Sequence, residues 1–209
     1  MRVAAVVLAA GKSERMGRNK LLLKLRDKTL IELILDALEA SKVDEIIVVL
    51  GNKSWEIEDV IKPRLNRIRI VVNERYEEGM TSSFKTGLKQ IERADAAVLV
   101  LGDQLILDPK FLDVMIKQME RNRGKALIVS PIYKGKKGHP FLLSKELFNE
   151  VLSLKESEVI RDVIHRHIDK LLTIEGARWT IMDMDTPKDF TEAIRLLEEN
   201  TLSSRSKQD

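Results

Sequence analysis

The chain has 209 residues, 44% of them hydrophobic and 33% charged, with a formal net charge of +3. That length and apolar content suit one domain with a sizeable core, and so small a net charge does not call for a nucleic-acid partner. Cysteine is absent, which excludes a disulfide framework, a thiolate metal site and a cysteine nucleophile.

The chain opens on an apolar run, Val3–Leu8, which reads as a first strand rather than as a signal peptide. No apolar stretch approaches the ~20 residues that span a bilayer. A cytoplasmic protein without a membrane partner is therefore expected. The run leads into LAAGKSERMGRNK, Leu8 to Lys20, with two glycines and four positive charges. The P-loop pattern fails here, because five residues separate Gly11 from Gly17 and Arg18 follows. The dinucleotide fingerprint fails as well, since Gly11 is followed by Lys12 and Ser13. What remains is a glycine-bearing basic loop. Its amides, with Lys12, Arg15 and Lys20, could hold phosphate oxygens, and it could equally be a solvated surface loop.

TLIELILDALEAS begins a helix at Thr29, with Glu32 three residues on as its capping-box partner. Glu45–Leu50 and Ile68–Val72 have strand length and composition. EEGMTSSFKTG follows, in which Gly79 and the hydroxyls of Thr81, Ser82 and Ser83 meet at a helix start and a helix is expected over Ser82–Ile91. Such a start can hold an anion or a ribose, or one hydroxyl can serve simply as an N-cap.

Ala96–Leu101 is a further buried strand, and LGDQLILDP places Asp103 just past its end. A carboxylate there suits a hard divalent cation or a turn cap. Asp108 and Pro109 open a helix to Asn122 as N-cap and first residue. Ala126–Pro131 reads as a strand, and the basic loop KGKKGHP carries His139 towards a short strand in GHPFLL. That histidine could meet an anionic acceptor or lie in a surface turn.

Helical patterns follow at Lys145–Leu152 and Val159–His167, and short strands at Lys170–Ile174 and Trp179–Met182. In TIMDMDTPKDF, Asp183 and Asp185 alternate and so share one side of an extended segment. Either could join Asp103 around a metal or serve the helix that Thr186 caps. TLSSRSKQD closes the chain as a polar, frayed tail.

The alternation of strands and helices predicts an α/β fold of a single domain over residues 1–200, with a tail over 201–209. Its sheet should be mostly parallel, with helices on both faces. Ligands of such sheets bind beyond the carboxyl ends of the strands, which picks out Ala9–Lys20, Gly51–Ser54, Asn73–Ser83, Gly102–Asp108 and Lys134–His139.

LAAGKSERMGRNKLLLKL, GMTSSFKTGL, LGDQ, GHPFLL and DMDTPKDF come in the order found in nucleotidyltransferases that resemble molybdenum cofactor cytidylyltransferase. The resemblance runs from about Val3 to Leu197. It implies a Rossmann-like nucleotidyltransferase fold, with Leu8, Ala9, Ala10 and Gly11 against base and ribose. It implies Lys12, Arg15 and Lys20 on the triphosphate, and Thr81, Ser82 and Ser83 near the nucleoside. Asp103 would bind Mg²⁺ with Asp185, and Arg15, Lys20 and Asp103 would carry catalysis. In the family AAG goes with cytidine and AGG with guanosine, so Ala9-Ala10-Gly11 favours CTP; the acceptor that the resemblance implies is molybdopterin or another phosphate-bearing molecule. The family's GDxGAR stretch is replaced here by ESEVIRD, in which Arg161 alone is kept, so acceptor identity stays open. His139 and Arg161 would lie on the acceptor side. A guanylyltransferase, a sugar- or alcohol-phosphate nucleotidyltransferase and a non-catalytic nucleotide binder are the alternatives.

Overall fold

The computed structural model describes residues 1–11, 19–25, 27–104, 106–182 and 186–205, with side chains as far as residue 196. Its frame is a row of strands that are apolar almost throughout: β1 (Val3–Ala9), β4 (Glu45–Leu50), β5 (Ile68–Val72) and β6 (Ala96–Leu101). β2 (Lys24–Leu25) and β3 (Lys28–Thr29) form a separate small hairpin between β1 and the first helix. β7 (Ile128–Tyr133), β8 (Lys136–Lys137), β9 (Phe141–Ser144) and β10 (Leu171–Glu175) complete the set. The main sheet runs β10-β7-β9-β6-β1-β4-β5, with β8 paired to β7. β1 pairs in parallel with both β4 and β6, whereas β9 runs antiparallel to β6 and β7. The sheet is thus mixed and mostly parallel.

Alternate side chains on these strands feed two cores, as buried strands require. On one face Val3, Ala5 and Val7 pack under α1 (Leu30–Glu39), α2 (Ser54–Ile61) and α4 (Pro109–Arg121). On the other, Val6, Ile47 and Leu99 pack under α3 (Met80–Leu88), α5 (Phe148–Leu152) and α6 (Ile160–Arg166). The last helix, α7 (Pro187–Arg205), docks Ala193 on Leu23 and Leu30 in a small third cluster. Helices therefore cover both faces, as the β-α alternation predicts.

Local signals set several boundaries. Thr29 and Glu32 close the capping box of α1: Glu32 Oε2 accepts from the Thr29 amide at 2.8 Å. Asp108 Oδ1 accepts from the Lys110 amide at 2.9 Å, and Pro109 fills the first position of α4. Thr186 and Asp189 exchange the equivalent bonds at the start of α7.

Elsewhere the structure departs from the sequence reading. α2 is a helix that the pattern did not reveal, because it buries only Ile57 and Ile61 and has no side-chain cap. The strand expected over Trp179–Met182 is a 3₁₀ turn, Arg178–Ile181, whose Trp179 packs edge-on against Phe111 at 5.4 Å. Residues 201–205 are not a frayed tail but the last turns of α7.

α3 lies so close to the sheet that a Cβ on Gly87 would fall 2.3 Å from Val6 Cγ1. Alanine would gain about 1 kcal/mol in helix propensity. Overpacking against a closed core costs about 1–3 kcal/mol, and contact this short belongs at the upper end. Gly87→Ala should therefore lower the thermal midpoint in calorimetry; an unchanged or raised midpoint contradicts this packing.

Candidate active site

The carboxyl ends of β1 and β6 meet through a glycine. The Gly102 amide donates to the Leu8 carbonyl at 2.9 Å, and a Cβ on Gly102 would lie 2.6 Å from that same oxygen. Only glycine lets the two strand ends close up, and Asp103 follows at once.

Lys20 approaches from the other side. Asn19 accepts from the Leu21 amide at 3.2 Å, which starts the 3₁₀ turn Lys20–Leu22 and fixes where the lysine emerges. Lys20 Nζ donates to Asp103 Oδ2 in an ion pair whose side chains are 14% and 24% exposed. At that exposure the pair is only partly screened.

A third wall comes from the start of α3. Gly79 has φ +94° and ψ −170°, a conformation essentially reserved for glycine, and it turns the chain so that Met80 begins the helix. A Cβ on Gly51 would sit 2.8 Å from the side chains of both Ala10 and Tyr76, so that glycine lets those two walls touch. Together these elements enclose a cavity of about 290 Å³.

Of the residues singled out in the sequence, Leu8, Ala10, Gly11, Lys20, Ser83 and Asp103 line this cavity. Ala9 does not; its side chain is 1% exposed and packs into the core beneath α1, because strand residues alternate faces. Thr81 and Ser82 are also turned aside. Thr81 Oγ1 accepts from the Ile160 amide at 3.1 Å, tying α3 to α6. Ser82 lines a neighbouring groove, while its Oγ donates to the Arg75 carbonyl at 3.0 Å. Successive helical residues fan out by about 100°, so one of three consecutive hydroxyls faces a given cavity. Asn73 Nδ2 donates to both Ser82 Oγ and Ser83 Oγ, at 3.0 and 3.1 Å. Lys12, Arg15, Asp183 and Asp185 lie outside the described residues. Leu21, Tyr76, Met80 and Leu101 line the cavity without having been singled out. Only Met80 carried a signal, through its place after Gly79.

Beyond Asp103 the edge continues onto β9. Leu99 pairs with Phe141 at the start of β9, and His139 lies two residues before that strand. The His139 amide donates to the Thr180 carbonyl at 2.7 Å, and its own carbonyl accepts from Gln104 Nε2 at 2.8 Å. Its ring packs 5.6 Å from that of Phe141. Burial pushes the imidazole pKa down to about 4; the charge of Asp103 opposes this and that of Arg161 adds to it. At neutral pH His139 is thus uncharged. A contact with an anionic acceptor, as the sequence suggests, would be made by the neutral ring. Arg161 is exposed in the first turn of α6, within electrostatic reach of the same ring.

Among the described residues no three His, Asp or Glu side chains gather as a ready-made metal site. A single partly shielded carboxylate is still the kind of oxygen donor that suits Mg²⁺, which keeps much of its water when bound. Asp103 fits that role. No described helix is long and apolar enough to cross a membrane.

Known proteins resemble this chain in sequence and fold. The chain is 29% identical to the molybdenum cofactor cytidylyltransferase of Escherichia coli K12, over 91% of this chain and 95% of that one. It is 23% identical to a probable molybdenum cofactor guanylyltransferase of Natranaerobius thermophilus, over 93% of this chain and 96% of that one. Among solved structures, a Mycobacterium tuberculosis protein in complex with manganese superposes with a TM-score of 0.74 at 26% identity, covering 93% of this chain and 99% of that one. A nucleotidyl transferase from Methanothermobacter gives a TM-score of 0.80 at 22% identity, over 95% of this chain and 99% of that one, and shares the fold. Fold and relatives together define the protein as a nucleotidyltransferase. More narrowly, the model of the MobA-like NTP transferase domain matches residues 5–171, and the chain belongs to that family.

Proposed function

We propose that the protein transfers CMP from CTP to the terminal phosphate of molybdopterin and releases pyrophosphate. One observation carries the reading: the Lys20–Asp103 pair stands directly beside Ala10 and Gly11 in a cavity at the carboxyl edge of the sheet. The cytidylyltransferase relative supports cytidine as the base. The alanine at position 10 supports it too, through the family resemblance.

In this reading an oxygen of the acceptor phosphate attacks the α-phosphorus of CTP. The new P–O bond forms as the bond to the β-phosphate breaks, and the electron pair leaves with pyrophosphate. An ionised phosphate needs no strong base, so positioning and charge neutralisation carry the rate. Leu8, Ala10 and Gly11 bind the nucleoside, and Ser83 lies at its edge. Lys20, with Lys12 and Arg15 of the basic loop, neutralises charge on the phosphates. Asp103, with Asp185, would hold Mg²⁺, which supplies charge stabilisation on the reacting phosphates when bound. The manganese complex of the mycobacterial neighbour supports use of a divalent ion.

A nucleotide panel tests the base assignment. With Mg²⁺, calorimetric titration of CTP, GTP, ATP and UTP should give CTP the tightest binding by at least about tenfold, or about 1.4 kcal/mol. Preference for GTP would move the protein to the guanylyl branch that its second relative represents.

A further inference from the structure

Among the described residues, two buried polar atoms near Asp103 have no hydrogen-bond partner. Gln104 is 5% exposed, and its Nε2 donates to the His139 carbonyl at 2.8 Å. A carbonyl can only accept, so this bond fixes which end of the amide is which. Gln104 Oε1, an obligate acceptor, is then left buried with no hydrogen-bond partner among the described residues. His139 Nδ1 is in the same condition. The rest of the His139 backbone is committed, its amide to Thr180 and its carbonyl to Gln104. Native proteins leave few buried polar atoms unpaired, and each one costs stability. Two of them on directly bonded residues, next to the carboxylate of the site, call for a function.

Their place in the sheet suggests which. The nucleoside cavity occupies the β1 side of Asp103, between β1 and α3. Gln104 is bonded to His139, which leads into β9, and Arg161 is within electrostatic reach of that ring. The second substrate must reach the α-phosphorus from the direction that the nucleotide does not fill.

We propose that Gln104 Oε1 and His139 Nδ1 form a hydrogen-bonding floor for the acceptor, and that this floor selects phosphate esters carrying N–H or O–H donors. The ester's phosphate points towards Asp103 and Arg161. Oε1 accepts a donor from the adjoining ring or polyol, and Nδ1 pairs with a second polar group. A plain alkyl phosphate leaves both atoms unpaired. The assignment rests on the nucleotidyltransferase reading and narrows its acceptor by chemistry.

The test compares a pterin phosphomonoester with butyl phosphate, titrated calorimetrically into the protein with and without CTP. The wild type should bind the pterin ester at least about tenfold more tightly. His139→Leu and Gln104→Met should each remove most of that preference while CTP affinity stays within about twofold. His139→Asn, which keeps a polar atom near the position of Nδ1, should restore it. A purely structural role for the two residues predicts lower thermal stability, an unchanged ester ratio and no special rescue by asparagine, and it overturns the proposal. So does a wild type with no preference, including one that binds neither ester. Failure of CTP to bind would sink the cytidylyl reading instead and leave the ester comparison standing.

Discussion

Replacing Asp103 with alanine should reduce pyrophosphate release by about 10³-fold or more and leave the fold intact. The carboxylate lines the cavity and is paired with Lys20 from the opposite wall. Gly102 presses β6 onto Leu8 just before it, and Gln104 is bonded to His139 just after it. Its position is therefore set by backbone and neighbours, not by its own side chain. Stability should change far less than turnover, because the side chain is 24% exposed and solvent weakens its ion pair with Lys20. The decisive comparison is turnover against thermal midpoint. Loss of both would mean that Asp103 holds the loop together. Near-normal turnover with a normal midpoint would remove it from the chemistry.

The sequence revealed the frame of this site better than its lining. Strands buried on both faces are apolar throughout, so β1, β4 and β6 could be placed within a residue, and their carboxyl ends located the cavity. Caps with a chemical signature, Thr29 with Glu32 and Asp108 with Pro109, were equally legible. What escaped depended on direction in space. Three neighbouring hydroxyls look equivalent in a string of letters, yet helix geometry sends Thr81 to α6 and Ser83 to the cavity. Ala9 reads as part of one motif with Ala10, and the strand pleat puts it in the core. Tyr76 became a wall residue because Gly51, 25 positions earlier, leaves room for it, a contact no local pattern encodes. His139 stands in a run of lysines that suggests a cationic surface, but tertiary burial keeps its imidazole neutral.

Lys20→Met should move two affinities in opposite directions. Lys20 is paired with Asp103, the group proposed to receive the divalent ion. A unit charge a few ångströms away opposes cation binding by up to about 4 kcal/mol at an effective dielectric of 20, and partial exposure reduces this to a fraction. Removing the ammonium should therefore strengthen binding of Mn²⁺ alone by about fivefold to tenfold, read by paramagnetic resonance. The same change would remove a cation from the proposed triphosphate site, so CTP affinity and kcat/KM should fall, the latter by about 10²-fold. The coupling follows from the exchange of partners. Lys20 is paired with Asp103; in the proposed site Asp103 would hold the divalent ion and Lys20 would turn to the phosphates. Binding of each should then assist the other, and thermodynamic linkage makes that assistance reciprocal. The variant should show weaker coupling between Mn²⁺ and CTP than the wild type, because the lysine no longer has to change partners. If both affinities fall together, Lys20 only braces the loop. If metal affinity is unchanged, Asp103 is not where the ion binds.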